Sequence, residues 1–162
     1  PTAGARHDKI PLEESSEVLW SSSNGALYST APMLKGVEVM SDLWMGYEDL
    51  AYGVALNQHG WIQLVCRKAV LSKVFDYTKP TLPIKRVFIQ DKPSWYSYYN
   101  MRNLVLINKR YGGHGVSLMM VFIKFIHSGG RIILLENNRF YRLFLHFRGL
   151  IDGFRGRVGK VD

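Results

Sequence analysis

Along the chain, stretches whose apolar residues recur at helical spacing alternate with short apolar runs bounded by turn residues. The clearest helical stretch lies between Trp44 and Gly60. There Tyr47, Leu50, Ala51 and Val54 fall at i, i+3, i+4 and i+7, which predicts an amphipathic helix over residues 47–58. Gly46 stands in front of it and Gly60 where a helix commonly stops. Residues 17–20 read as a short strand running into the turn-rich Ser21-Ser22-Ser23-Asn24-Gly25, and a short helix is expected near 31–35. Residues 61–65 alternate weakly and are rich in apolar and branched side chains, which predicts a strand beside the central helix, with Leu50 and Val54 buried.

Further on, residues 77–91 hold Pro80 and Pro83 and read as a connector with one strand over 86–89. Ser94 is a candidate N-cap for a helix in which Tyr98, Met101 and Val105 share a face. Two more helices are expected over 116–127 and 136–154, parted by Ser128-Gly129-Gly130. On the second, Phe140, Phe144 and Phe147 share a face, while Arg139, Arg142 and Arg148 supply positive charge. Glycines at 149, 153, 156 and 159 read as a fraying end rather than a phosphate loop, because no strand precedes them.

Composition narrows the classes. With 47% hydrophobic and 21% charged residues, the 162-residue chain is ordinary globular material rather than disordered. A lone Cys66 excludes an internal disulfide and a cysteine-rich metal site, and its apolar surroundings suggest a buried thiol. His114, His127 and His146 are too scattered for metal-ligand spacing. No signal peptide is visible at the start, and the longest apolar run, 116–126, is broken by Lys124 and too short to span a bilayer, so a cytoplasmic protein is expected. The net charge of +8 is unevenly spread: residues 1–100 hold ten Lys and Arg against ten Asp and Glu, and residues 101–162 hold eleven against three. A basic last third with an aromatic stripe suggests a tail lying on an anionic membrane surface, at the inner face of the membrane.

The candidate chemistry lies in the central helix. Glu48 and Asp49 stand in its first turn, where free backbone N–H groups and the helix dipole favour negative charge. A carboxylate held there behind a loop can serve as a general base. Acidic residues are also ordinary at helix starts, where they need no catalytic role.

The string Leu43-Trp44-x-Gly46-x-Glu48-Asp49-Leu50-x-x-Gly53, followed by small residues, Gly60 and a strand, resembles the Glu-Asp motif of family 2 glycosyltransferases. These are inverting enzymes with the GT-A fold. The resemblance implies that Asp49 deprotonates the acceptor hydroxyl and that Glu48 orients the acceptor. Trp20, small residues and then Gly25-x-Leu27-Tyr28 resemble the family's segment on the acceptor side. By that likeness Trp20, Asn24 and Gly25 contact sugar, with Trp44 shaping the pocket; an aromatic face suits the C–H face of a sugar ring. The helix Tyr98-Tyr99-x-x-Arg102-Asn103, ending in Lys109-Arg110-Tyr111-Gly112, resembles the rhamnosyl- and galactofuranosyltransferase-like branch, and implies Arg102 as the partner of a diphosphate.

The likeness covers roughly residues 17–111 and departs from the family in two places. Ser72 stands where metal-dependent relatives carry a His, and no Asp-x-Asp or nucleotide-binding βαβ unit is found. The expected architecture is therefore an α/β chain: residues 1–92 as the acceptor-side half of a GT-A domain and 93–162 as a helical basic region. A Mg or Mn ion would be held mainly by the missing N-terminal half. The expected activity is inverting transfer of a hexose from a nucleotide-diphosphate sugar to a glycan or lipid-linked acceptor, in cell-surface polysaccharide synthesis. The alternative is a non-catalytic basic module that binds an anionic membrane surface or nucleic acid. Nucleic acid is the weaker form, since no base-reading motif is present.

Overall fold

A computed structural model describes residues 15–66, 68–70, 92–112 and 117–161. In chain order these form strand β1 (Ser15–Val18), helix α1 (Ala31–Leu34), a 3-10 turn (Ser41–Leu43), helix α2 (Glu48–Gln58), strand β2 (Gln63–Cys66), and helices α3 (Trp95–Tyr111), α4 (Leu118–Leu135) and α5 (Arg139–Arg155). The chain is mixed α/β but mostly helical among the described residues, with 58% helix, 7% strand and one two-stranded sheet. The strands run antiparallel from Ser15↔Cys66 to Val18↔Gln63. Each lies two residues or so from its expected position. The connector at 77–91 with its 86–89 strand, Ser72 and His114 lie outside the described residues.

Helix α2 begins and ends at the expected glycines, Gly46 at φ +84° and Gly60 at φ +77°, a left-handed conformation that costs glycine little. Its setting is more enclosed than an amphipathic stripe implies, because every residue from Leu50 to Leu56 is buried. Tyr98, Met101 and Val105 of α3 are buried as their spacing predicts, and so are Arg102 and Asn103. One apolar core, including Leu43, Val54, Leu104, Ile107 and Val121, draws on both sides of the boundary expected at residue 92.

Three expectations are corrected here. Helix α4 does not stop at Ser128-Gly129-Gly130 but runs through them to Leu135. It is therefore 18 residues long and, among the described residues, the one helix long and apolar enough to cross a membrane. Gly149 and Gly153 are contact points, not a frayed end. A Cβ on Gly149 would overlap the Tyr98 carbonyl, and one on Gly153 would stand 2.7 Å from Val105 Cβ and 2.8 Å from the Arg102 carbonyl oxygen. These absent side chains let α5 press against α3. Cys66, expected inside, is exposed, because its end of the small sheet is left uncovered.

Candidate active site

The loop between the 3-10 turn and α2 folds back through three left-handed residues, Trp44 (φ +59°), Gly46 and Tyr47 (φ +67°). Two of the three carry side chains, so the surroundings must hold the loop in place. Helix α3 does so. The fully buried Asn103 amide donates to the carbonyls of Leu43 (3.1 Å), Met45 (2.7 Å) and Gly46 (2.8 Å). Arg102 beside it donates to the Leu43 carbonyl at 2.8 Å, to the Gly159 carbonyl, and through Nε to Asn103 Oδ1 at 3.0 Å. The rings of Tyr98 and Tyr99 flank the guanidinium, and the Gly159 N–H reaches the Asp42 carbonyl at 2.7 Å. A guanidinium so enclosed and so engaged has no surface to offer a diphosphate. Arg102 holds the loop in front of α2 instead.

Past the loop, Glu48 is exposed and Asp49 half-buried. Asp49 Oδ1 accepts from the Leu50 N–H at 2.8 Å. Burial pushes the Asp49 carboxyl above its usual value and the Glu48 charge adds to this, while the N–H groups of Leu50, Asp49 and Ser23 act in the opposite direction. Ser23 opens a turn closed by the Ala26 N–H (3.4 Å), with Gly25 at φ +76°. Asn24 donates from its backbone and its amide to Ser22 Oγ, at 3.4 and 3.2 Å. The structure thus brings Asp49 to the turn that carries Asn24 and Gly25, with Glu48 exposed beside it.

The two predicted tryptophans part company. Trp20 is half-buried against α2, where a Cβ on Gly53 would stand 2.5 Å from Trp20 Cβ. Trp44 packs 4.7 Å from the Tyr99 ring and 5.9 Å from that of Trp95, beneath Lys160.

Three phenols that sequence reasoning missed lie nearby: Tyr28 and Tyr47 feel the Asp49 charge, and the Tyr52 ring lies 5.7 Å from that of Tyr28. Burial pushes the Tyr28 hydroxyl up, a hydrogen bond with Ser21 pulls it down, and the charges of Asp49 and Tyr52 push it up again. Tyr47 is pushed up to about 12 by burial, then by Tyr96 and Asp49, against Arg131. Both phenols stay protonated at neutral pH and keep an O–H donor. A cavity of about 670 Å³ lies between the Ser23 turn and β2, lined by Ser21, Asn24, Gly25, Tyr28, Tyr52 and Gln63. Gln63 is held by the carbonyls of Leu19 (2.6 Å) and Gly53 (3.1 Å). The buried Tyr52 hydroxyl has no hydrogen-bond partner among the described residues. An unmet hydroxyl of this kind costs about 1–3 kcal/mol.

Cations gather at the far side of Tyr47. Burial, then Arg131 and Lys92, lower the proton affinity of the Lys124 ammonium, and Lys92 Nζ lies 3.8 Å from the Tyr96 ring centre. Among the described residues no three His, Cys, Asp or Glu side chains come together to hold a metal ion.

Compared with protein-family models, curated proteins and solved structures, the chain gives no match to any of the three.

Proposed function

We propose that this chain is the acceptor-side part of an inverting GT-A glycosyltransferase, which moves a hexose from a nucleotide-diphosphate sugar to a glycan or lipid-linked hydroxyl. One observation carries the reading: Asp49 sits half-buried at the opening of α2 against the backbone of Ser23, in the turn whose Asn24 and Gly25 line the cavity, and its proton affinity is raised. In the transfer the acceptor oxygen bonds to the anomeric carbon as the bond from that carbon to the diphosphate oxygen breaks. The acceptor proton passes to Asp49, and higher proton affinity makes it the stronger base. Tyr28 and Asn24 line the cavity and offer hydrogen bonds to sugar hydroxyls there. Lys92, Lys124 and Arg131, rather than Arg102, are the cations placed to meet a phosphate group. The nucleotide-binding half, and any Mg or Mn ion it holds, belong to sequence outside these residues.

Asp49→Asn keeps the shape and removes the proton acceptor. In the enzyme with both halves it should cut turnover by about 100-fold or more while nucleotide-sugar binding holds, with Glu48→Gln milder. The acid limb of the rate should begin at higher pH than an ordinary carboxylate gives and should vanish in Asp49→Asn. Wild-type turnover by Asp49→Asn would overturn the assignment. It would leave Asp49 as an ordinary helix-start charge. A wild-type protein with no transfer at all would favour the second reading, a non-catalytic basic module on a membrane, which the apolar faces of α4 and α5 support.

A further inference from the structure

Helices α4 and α5 each turn a single side toward the protein. Val121, Ser128 and Ile132 are the buried positions of α4, and Leu145, His146, Gly149 and Gly153 are among those of α5. The opposite side of α5 exposes Phe140, Phe144, Phe147, Ile151 and Phe154, at i, i+4, i+7, i+11 and i+14, with Phe140 90% accessible. On α4, Met119, Phe122, Ile126 and Ile133 make the matching stripe, with Ile126 71% accessible. The two stripes join through Phe125, whose ring stacks on His146 at 4.9 Å and meets Phe147 edge-on at 5.0 Å. A continuous apolar face of this kind differs from singly exposed leucines and marks a contact surface.

Charge identifies what the face meets. Residues 117–161 hold eight Lys and Arg and two acids. Both acids are withdrawn into ion pairs: Glu136 with Arg131 (2.9 Å) and Arg142 (3.2 Å), and Asp152 with Arg148 (3.6 Å) and Arg157 (3.4 Å). By helical spacing Arg148 and Arg155 border one edge of the α5 stripe and Arg139 the other, whereas Arg142, expected at the surface, is buried. A second copy seated on this face would bring like charges together, with no exposed acid among the described residues of α4 and α5 to answer them.

We propose that α4 and α5 together form a bilayer-inserting face, both helices lying in the plane of an anionic leaflet with their apolar stripes among the acyl chains. The bordering arginines then meet lipid phosphates. Helix α4 has the length to cross instead, but the Phe125–His146 stack and the His146 Nε2 contact with the Phe125 carbonyl (3.1 Å) tie it to α5. The inference stands without the Asp49 chemistry.

The test is flotation of the whole chain with vesicles of phosphatidylcholine alone or mixed with phosphatidylglycerol. Binding to the mixed vesicles is expected, weakened but not abolished by high salt, because apolar burial is unscreened. Ile126→Ser with Phe144→Ser changes two exposed positions, so circular dichroism should match wild type while vesicle partition falls about tenfold or more. Tryptophan placed at 126 and, separately, at 144 should be quenched by brominated lipid at the same shallow depth. A wild-type chain that stays unbound, or elutes as a dimer and does not float, overturns the proposal. So does a double variant that floats like wild type, or deep quenching confined to residue 126, which would mean that α4 crosses.

Discussion

Helices α3 and α4, of 17 and 18 residues, occupy the opposite places from those their composition suggests. The more polar α3 is buried for most of its length, Arg102 and Asn103 included, whereas α4, the more apolar, leaves most of its surface open. Burial follows the partners on offer. The polar groups of α3 are inside because a loop of carbonyls needs them there, and the cost of desolvating them is offset bond by bond. Among the described residues nothing comparable covers the outer side of α4, which stays apolar and exposed.

The contrast can be broken first at its polar end. Asn103→Leu removes the donor shared by three loop carbonyls and should lower unfolding free energy by about 3 kcal/mol or more in a denaturant titration. A loss well under about 1 kcal/mol would show that the 43–46 loop holds itself. Glycines sharpen the comparison next. Gly149→Ala drives a methyl into the α3 backbone and should cost about 1–3 kcal/mol, read as a fall in Tm. Gly130→Ala on α4 meets nothing within 4 Å and should instead stabilise by up to about 1 kcal/mol. Equal effects at the two sites would mean that α5 is not clamped on α3.

The smallest effect is a pH dependence at the α4–α5 seam. Burial lowers the proton affinity of His146, against the backbone contacts of Phe125 and Ser97 and the charge of Glu136. The folded state therefore binds fewer protons than the unfolded one. Stability is whole above the ordinary imidazole pKa of 6.5 and declines as pH falls below it. Thermal melts through that range should show the decline, and His146→Gln should flatten it.

Much of the frame was legible in the residues. Gly46, Gly60 and the apolar spacing marked α2, because local backbone chemistry sets a helix's ends. The strands were found but misplaced, since the register of a two-stranded sheet depends on its partner. Ser128-Gly129-Gly130 was misread as a break: a glycine costs about 1 kcal/mol in a helix, which the unbroken hydrogen bonds on both sides outweigh. For Gly149 and Gly153 the deciding fact is what lies opposite, which one chain's spacing does not reveal. Asp49 was singled out from its place at a helix start, whereas the phenols near it were not, because their approach depends on how distant parts of the chain pack. Asn103 did leave a signal, since two adjacent polar residues amid the buried positions of a helix point to carbonyls waiting across from them.

The hydrogen bonds of the last residues set an order of events during synthesis. Gly159 ties to Asp42 and Arg102, and the backbone N–H of Val161 donates to the Tyr99 hydroxyl at 2.9 Å. The support behind Glu48 and Asp49 is therefore incomplete while those residues are still inside the ribosome. However early α2 forms, the loop in front of it is fully braced only after residue 161 has emerged.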